Sequence, residues 1–115
     1  MKILHIDNCP KNAALIKATF DKDTVHHVQT GSQALEKLDL YKYNIIIMET
    51  CLDTVNGYQL MKHIRRFDKE IPILVLSFRT MVLDKFMAIR HGATDYMTKP
   101  TDKQQLLFRM KYYRK

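Results

Sequence analysis

Short apolar runs alternate with segments of helical periodicity along most of the chain. Runs rich in β-branched and aliphatic residues predict strands, and apolar residues that recur three or four positions apart predict amphipathic helices. Strands are expected at residues 3–6, 24–28, 44–49, 71–77 and 94–97. The helices that follow them are expected to carry apolar stripes, which are Ala13, Ile16 and Phe20; Ala34, Leu38 and Tyr41; Leu60, Ile64 and Phe67; Val82, Phe86 and Ile89; and Leu106, Met110 and Tyr113.

The strict alternation of strand and helix predicts an α/β fold with a parallel sheet. The run at 44–49 agrees with this, because a strand covered on both faces is apolar at nearly every position. The local start and stop signals are Pro10 at the first position of a helix, capping-box spacings at Thr30 with Gln33 and at Thr101 with Gln104, a turn at Asn56-Gly57, and a helix stop at Gly92.

Length and composition bound the possibilities further. The chain has 115 residues and 13.6 kDa, which suits one domain spanning residues 1–115. The longest apolar run, residues 45–48, is too short to cross a bilayer, and the N-terminal sequence MKILHID carries a carboxylate where a signal peptide would be apolar. Two cysteines do not form a disulfide framework. We therefore expect a cytoplasmic protein that does not contact a membrane.

Charge adds one positive clue. The chain carries 19 Lys and Arg against 12 Asp and Glu, a net charge of +7. Residues 103–115 hold five basic residues and no acidic one. Such a segment is either a solvated helix face or a surface that lies near nucleic acid or an acidic partner.

Polar side chains follow four of the five predicted strands. They are Asp7, Asn8 and Cys9 after the first strand, Glu49 and Cys51 after the third, Ser77 after the fourth, and Lys99 after the fifth. In an open parallel sheet, ligands bind outside the carboxyl ends of the strands. Each residue alone is explained by capping or solvation, but together they predict a functional site at this edge.

These motifs resemble the receiver domain of two-component response regulators over essentially the whole chain. The segments that carry the resemblance are KILHID at 2–7, TGSQAL at 30–35, NIIIME at 44–49, NG at 56–57, IR at 64–65, IPI at 71–73 and GATDYMTKP at 92–100. The resemblance implies a flavodoxin-like (βα)5 three-layer sandwich, a parallel sheet in the order 2-1-3-4-5, and a cis bond between Lys99 and Pro100.

The resemblance also implies the roles of the residues at the strand ends. In ordinary receivers, an acidic pair after the first strand and an Asp after the third hold Mg²⁺, and that Asp accepts a phosphoryl group from a histidine kinase. A hydroxyl residue after the fourth strand and a Lys after the fifth contact the phosphate, and an aromatic residue of the fifth strand turns inward. By this resemblance Ser77 and Tyr96 are the switch residues, and Lys99 is the phosphate contact.

Two departures stand at the centre of the site. The acidic pair is Asp7-Asn8, and the acceptor position holds Glu49. Mg²⁺ prefers anionic oxygen ligands, and Glu49 places its oxygens about 1.5 Å beyond those of an Asp. We therefore expect Mg²⁺ binding to be weak or absent, no other cofactor, and no conventional phosphorylation. Glu49 is expected to imitate the phosphorylated state by reaching Lys99 and Ser77; the alternative is an inert ion pair.

The resemblance is nearest to the subfamily that bears winged-helix DNA-binding domains. That subfamily dimerises through its fourth helix, fifth strand and fifth helix. The corresponding dimer face here contains Lys85, Asp95 and Arg109 at salt-bridge positions and Phe86, Ile89 and Phe108 as apolar contacts. We expect a homodimer that is the N-terminal module of a longer transcriptional regulator. DNA would be contacted by a domain outside this sequence, and there is little reason to expect a cognate histidine kinase.

Other interpretations of the function remain as alternatives. One is a receiver that is still phosphorylated with Mg²⁺ in a histidine-kinase phosphorelay, and another is a stand-alone receiver that docks on a protein. Cys9 and Cys51 flank the acceptor pocket and are candidates for redox sensing, although two unrelated thiols are the simpler interpretation. An enzyme is not expected, because the chain lacks the phosphate loops of nucleotide-binding folds, the spacing of a thiol phosphatase, and any spacing of His residues typical of a metal site.

Overall fold

The structure is a computed structural model that describes residues 1–52 and 56–114. Its elements alternate from the first residue onward: β1 (Lys2–Ile6), α1 (Pro10–Thr19), β2 (Thr24–Val28), α2 (Gly31–Leu40), β3 (Ile45–Met48), α3 (Gly57–Phe67), β4 (Ile73–Ser77), α4 (Val82–Arg90), β5 (Asp95–Thr98) and α5 (Lys103–Met110). The strand bounds differ from the predicted ones by no more than two residues.

The five strands form one parallel sheet, as the sequence pattern predicted, in the order β2-β1-β3-β4-β5 that the resemblance implied. β1 lies between β2 and β3, and its Ile6 is in register with Val28 of β2 and with Met48 of β3. Ser77 at the end of β4 is in register with Thr98 of β5. The residues that follow β1, β3, β4 and β5 therefore emerge side by side at one edge of the sheet.

Alternate side chains of the strands pack into two cores, one on each face of the sheet. On one face the strands meet α2, α3 and α4 through Ala34, Leu60, Met61, Ile64 and Ala88. On the other face they meet α1 and α5 through Ile16, Phe20, Leu106 and Met110. This gives the predicted three layers of helix, sheet and helix. The Lys99–Pro100 peptide bond is cis, also as predicted.

The helix starts agree with the sequence in part. Pro10 is the first residue of α1, and Thr30 caps α2 by accepting a hydrogen bond from the Gln33 backbone N–H at 3.2 Å. The predicted cap of the last helix is wrong by one residue, since Asp102 caps α5 and accepts from the Gln105 N–H at 2.9 Å. Residue spacing cannot choose between neighbouring cap candidates, and a carboxylate at this position also interacts favourably with the helix dipole.

The Asn56-Gly57 pair begins a helix instead of forming a free turn. Asn56 caps α3 by accepting from the Tyr58 N–H at 2.9 Å, and Gly57 is the first helical residue. Gly57 lies against the segment that follows β3, because a Cβ atom at this position would stand 2.5 Å from the Cα atom of Thr50. The glycine is thus required by the close approach of two backbones.

The predicted apolar stripe of α4 faces solvent. Val82, Phe86 and Ile89 are 86%, 56% and 44% exposed, whereas Ala88 is the fully buried residue of this helix. Helical spacing groups apolar residues on one face, but it does not determine whether that face meets the core or solvent.

No helix within residues 1–52 and 56–114 combines the length and the apolar character needed to cross a membrane.

Candidate functional site

Three charged side chains meet at the edge of the sheet where β1, β3 and β5 end. The Lys99 Nζ atom lies 2.8 Å from Asp7 Oδ2 and 3.2 Å from Glu49 Oε1. All three residues are almost completely buried. A buried ammonium that contacts two carboxylates is stabilised by strong attraction in a low-dielectric environment. The sequence therefore predicted correctly that these strand ends converge.

Asp7 accepts hydrogen bonds at both oxygens. Its Oδ1 accepts from the Cys9 backbone N–H at 3.0 Å, and its Oδ2 accepts from Asn12 Nδ2 at 2.7 Å in addition to Lys99. Burial alone would raise the pKa of Asp7, but the nearby His5 ring and the Lys99 ammonium hold this pKa well below its usual range. Asp7 is thus an ionised carboxylate.

Lys99 is held in its charged form by the same contacts. Burial alone would lower the pKa of the Lys99 ammonium, but the Asp7 and Glu49 carboxylates more than compensate and raise it. The ion pair therefore persists throughout the neutral range.

The Glu49 carboxylate divides its oxygens between Lys99 and its own loop. Its Oε1 faces Lys99, while its Oε2 accepts from the Thr50 N–H at 2.8 Å and from the Cys51 N–H at 3.3 Å. Glu49 thus contacts one of its two expected partners. In the described part of the chain, the Ser77 hydroxyl is hydrogen-bonded to the Arg79 N–H at 3.2 Å and not to Glu49.

The two switch residues lie next to this centre. Ser77 is fully buried, and Tyr96 is turned inward with only 7% of its surface exposed. The Tyr96 hydroxyl donates a hydrogen bond to the Arg79 carbonyl oxygen at 2.8 Å. Burial raises the pKa of Tyr96, so the phenol is neutral and can donate.

Two polar residues behind Asp7 were not singled out by the sequence. His5 is fully buried, with its Nε2 atom 3.3 Å from Asn12 Nδ2 and 3.6 Å from Asp7 Oδ2. Burial lowers the pKa of His5, which favours the neutral ring. The alternation of side chains along a strand could have indicated that His5 lies beside Asp7, because it places residues 5 and 7 on the same side.

Phe78 and Arg79 also border the site and were not expected there. The Lys99 Nζ atom lies over the Phe78 ring, 5.0 Å from its centroid. The Arg79 Nε–H donates a hydrogen bond to Cys51 Sγ at 2.9 Å. Both residues lie in the loop after β4, and their roles depend on contacts across loops that residue spacing does not reveal.

The two cysteines flank the pocket as expected from the resemblance. Cys9 is half-buried before α1, and Cys51 is exposed after β3. Both are free thiols, and Cys51 contacts the Arg79 guanidinium. A redox role for Cys9 and Cys51 stays a prediction.

The predicted dimer face forms a continuous surface of α4, β5 and α5. Arg109 Nη1 lies 2.6 Å from Asp95 Oδ1, so two of the three predicted salt-bridge residues pair within one chain. Lys85 is exposed, and with Arg109 and Tyr96 it lines a shallow cavity of about 290 Å³. Phe86, Ile89 and Phe108 expose 56%, 44% and 58% of their surfaces.

The oxygen atoms at this site are poorly arranged to bind Mg²⁺. The two carboxylates that would bind the ion already share Lys99, so Mg²⁺ would compete with an ammonium for Asp7 Oδ2 and Glu49 Oε1. Asn8 contributes a neutral amide where a third carboxylate would stand. Within the described ranges, no trio of His, Cys, Asp or Glu is arranged to hold a metal ion.

Comparison with known proteins agrees with the fold. The family model of the response regulator receiver domain matches residues 3–111, and the chain therefore belongs to the response regulator receiver domain family. The cell cycle response regulator CtrA of Brucella ovis is 30% identical over 112 residues, which cover 96% of this chain and 48% of that protein. The chain thus spans about half the length of the curated relatives that it matches.

Solved structures show the same architecture. A two-component response regulator from Clostridium difficile is 25% identical with a TM-score of 0.92, covering 98% of this chain and 94% of the other. The receiver domain of the sensor histidine kinase PA1611 from Pseudomonas aeruginosa PAO1, which has a magnesium ion in its active-site cleft, is 25% identical with a TM-score of 0.87, covering 97% and 95%.

Proposed function

We propose that this receiver is atypical and that an internal ion pair, instead of phosphorylation, sets its switch. The chain acts as a control module and not as an enzyme. It regulates a DNA-binding transcriptional regulator by forming a homodimer through α4, β5 and α5. A cytoplasmic location, a position as the N-terminal module of a longer protein, and DNA contact through another domain are parts of the same proposal.

One observation carries this proposal: Lys99 is already bound by a carboxylate at the acceptor position. The Glu49 Oε1 atom lies 3.2 Å from the Lys99 ammonium, at hydrogen-bonding distance. In the family this Lys contacts the phosphate, so the Glu49 carboxylate stands in for a phosphate oxygen. It carries one negative charge, whereas a phosphoryl group carries nearly two, so the imitation is partial.

Tyr96, one of the two switch residues, favours the same state. Tyr96 is buried, and its hydroxyl is bonded to the backbone of the β4–α4 loop through the Arg79 carbonyl. An inward aromatic residue accompanies the active state in the family. An interaction that is stronger in one conformation than in another shifts the population toward that conformation. We infer that the Glu49–Lys99 pair biases the chain toward the active-like state without a phosphoryl group.

The exposed apolar stripe of α4 supports a dimer. Val82, Phe86 and Ile89 point away from the core, and Phe108 of α5 is 58% exposed. Exposed apolar side chains grouped along a helix face are typical of a protein interface. A second copy of the chain is the proposed occupant, because a twofold axis across the stripe would bury the same residues of both copies.

The curated relatives are about twice as long as this chain, and the CtrA relative is a cell cycle response regulator. A longer protein with a further domain is consistent with a receiver that regulates DNA binding. The basic segment at 103–115 would then lead toward that domain.

A change at Glu49 tests the link between the ion pair and the dimer. We expect Glu49→Ala to weaken the dimer by about tenfold, equivalent to about 1.4 kcal/mol, because Lys99 loses the carboxylate that imitates the phosphate. Glu49→Gln is expected to weaken it similarly, since it keeps the length of the side chain without the charge. The dissociation constants are measured by sedimentation velocity over a concentration series.

Glu36→Ala is the matched control, because Glu36 is an exposed glutamate of α2 outside the pocket and the proposed dimer face. This variant is expected to dimerise like the wild type. A Glu49→Ala protein with unchanged dimerisation would contradict the proposed function.

A further inference from the structure

The charged centre is closed off from solvent even though it lies at the edge of the sheet where ligands bind in this kind of fold. Asp7, Glu49 and Lys99 expose 0%, 5% and 6% of their surfaces. The centre combines two acidic side chains, Asp7 and Glu49, with one basic side chain, Lys99, so its formal charge is −1. A phosphoryl donor would have to reach a buried, negatively charged centre.

Phe78 is the side chain placed over the ammonium. It follows Ser77 directly, and its ring centroid lies 5.0 Å from Lys99 Nζ, within the range of a cation–π interaction. The residue is nevertheless 61% exposed. The ring therefore lies between a buried ammonium and the surface, with much of its own area in water.

A second contact holds the loop that carries Phe78. The Arg79 Nε–H donates to Cys51 Sγ at 2.9 Å, and the Arg79 N–H donates to Ser77 Oγ at 3.2 Å. Cys51 belongs to the segment after β3 and Arg79 to the loop after β4, so this bridge connects the two segments beside the pocket. Tyr96 adds a third contact by donating to the Arg79 carbonyl at 2.8 Å.

We propose that Phe78, held in place by the Arg79–Cys51 bridge, is a cover that closes the acceptor pocket to phosphoryl donors. A small donor such as acetyl phosphate must bring a phosphorus atom within near-attack distance of a carboxylate oxygen, about 3–3.5 Å. The ring stands beside the ammonium that would guide the donor. This role of Phe78 rests on the proposed phosphate-independent function and extends it: exclusion of the donor is separate from the departures at positions 8 and 49.

The accessibility of Lys99 tests the cover in the natural protein. Acetylation of Lys99 by N-hydroxysuccinimidyl acetate is followed by peptide mass spectrometry, with exposed Lys103 as an internal reference. We expect Phe78→Ala to increase the acetylation rate of Lys99 at least tenfold. Phe67→Ala is the matched control, because Phe67 of α3 is 57% exposed and Phe78 is 61% exposed, so both variants remove a surface ring. Equal Lys99 rates in the two variants would overturn the cover.

A second measurement tests whether Phe78 excludes phosphoryl donors from a pocket that has Asp at positions 8 and 49. The Asn8→Asp/Glu49→Asp variant is incubated with acetyl phosphate and Mg²⁺, with and without Phe78→Ala, and acyl-phosphate formation is followed by intact mass. The variant with Phe78→Ala is expected to label at least tenfold faster, and equal labelling would count against the cover. Neither measurement depends on dimerisation. Equal rates with and without Phe78→Ala would therefore contradict the cover without contradicting the proposed dimer. Unchanged dimerisation of Glu49→Ala would contradict the proposed function without contradicting the cover.

Discussion

Replacement of Lys99 by alanine destabilises the folded chain by about 3–5 kcal/mol at neutral pH, because it leaves two buried carboxylates without their cation. Lys99 contacts Asp7 at 2.8 Å and Glu49 at 3.2 Å, and all three groups are buried. Removal of one partner from a buried pair exposes the full desolvation cost of the remaining charge. The free energy of unfolding is measured by urea denaturation of wild type and variant.

The difference in the free energy of unfolding between wild type and Lys99→Ala is expected to depend on pH. In the wild type, the depressed pKa of Asp7 contributes stability that is present above about pH 4 and is lost as the pH falls toward the folded pKa. In the Lys99→Ala variant Asp7 lacks the ammonium, so the pKa of Asp7 rises and its protonation at mildly acid pH relieves part of the buried charge. The difference between the two proteins is therefore expected to shrink markedly between pH 7 and pH 4.

Lys103→Ala is the control for this prediction, because Lys103 is an exposed lysine of α5. Its effect is expected to stay within about 0.5 kcal/mol, as for most surface substitutions. A loss below about 1 kcal/mol for Lys99→Ala, or a loss that does not change with pH, would show that Lys99 does not balance the buried carboxylates.

A second large effect is expected at the dimer face. Phe86→Asp should weaken the dimer at least about 100-fold, equivalent to about 2.7 kcal/mol, while the monomer remains folded. Phe86 is 56% exposed in the apolar stripe of α4, so the substitution removes little from the core. Across a twofold axis, the new carboxylate would face apolar surface and its own symmetry mate, which adds desolvation to repulsion.

Sedimentation equilibrium over a wide concentration range measures this change, and circular dichroism checks that the fold is retained. Phe67→Asp is the matched control, since Phe67 is 57% exposed but lies on α3, outside the proposed dimer face. Equal dimerisation of the two variants would place the interface elsewhere on the molecule.

The fold follows closely from the sequence because a parallel sheet imposes strong patterns. Strands covered on both faces are continuously apolar, as at Ile45–Met48, and each must be followed by a crossover long enough for a helix. Because the carboxyl ends of parallel strands lie at one edge of the sheet, chain order alone brings together Asp7, Glu49, Ser77 and Lys99, without any knowledge of side-chain positions. These patterns depend on periodicity and chain order, which the sequence contains.

Other features depend on directions in space that residue spacing does not fix. The stripe of Val82, Phe86 and Ile89 has the spacing of a core face but is turned to solvent, because Ala88 occupies the core side of α4. The contact of Phe78 with Lys99 and that of Arg79 with Cys51 arise where loops of different strands approach each other. Such contacts are determined by tertiary packing, and a single sequence carries no period that marks them.

The most direct measurement of the central claim is the intact mass of the wild-type chain after incubation with acetyl phosphate and Mg²⁺. A receiver with a complete set of three acidic residues serves as the positive control. With the Lys99 ammonium bound by Glu49 and Asp7, we expect the mass of this chain to remain unchanged while the control gains a phosphoryl group of about 80 Da. A stoichiometric, hydroxylamine-sensitive adduct of that mass on the wild-type chain would contradict a switch set by its own ion pair.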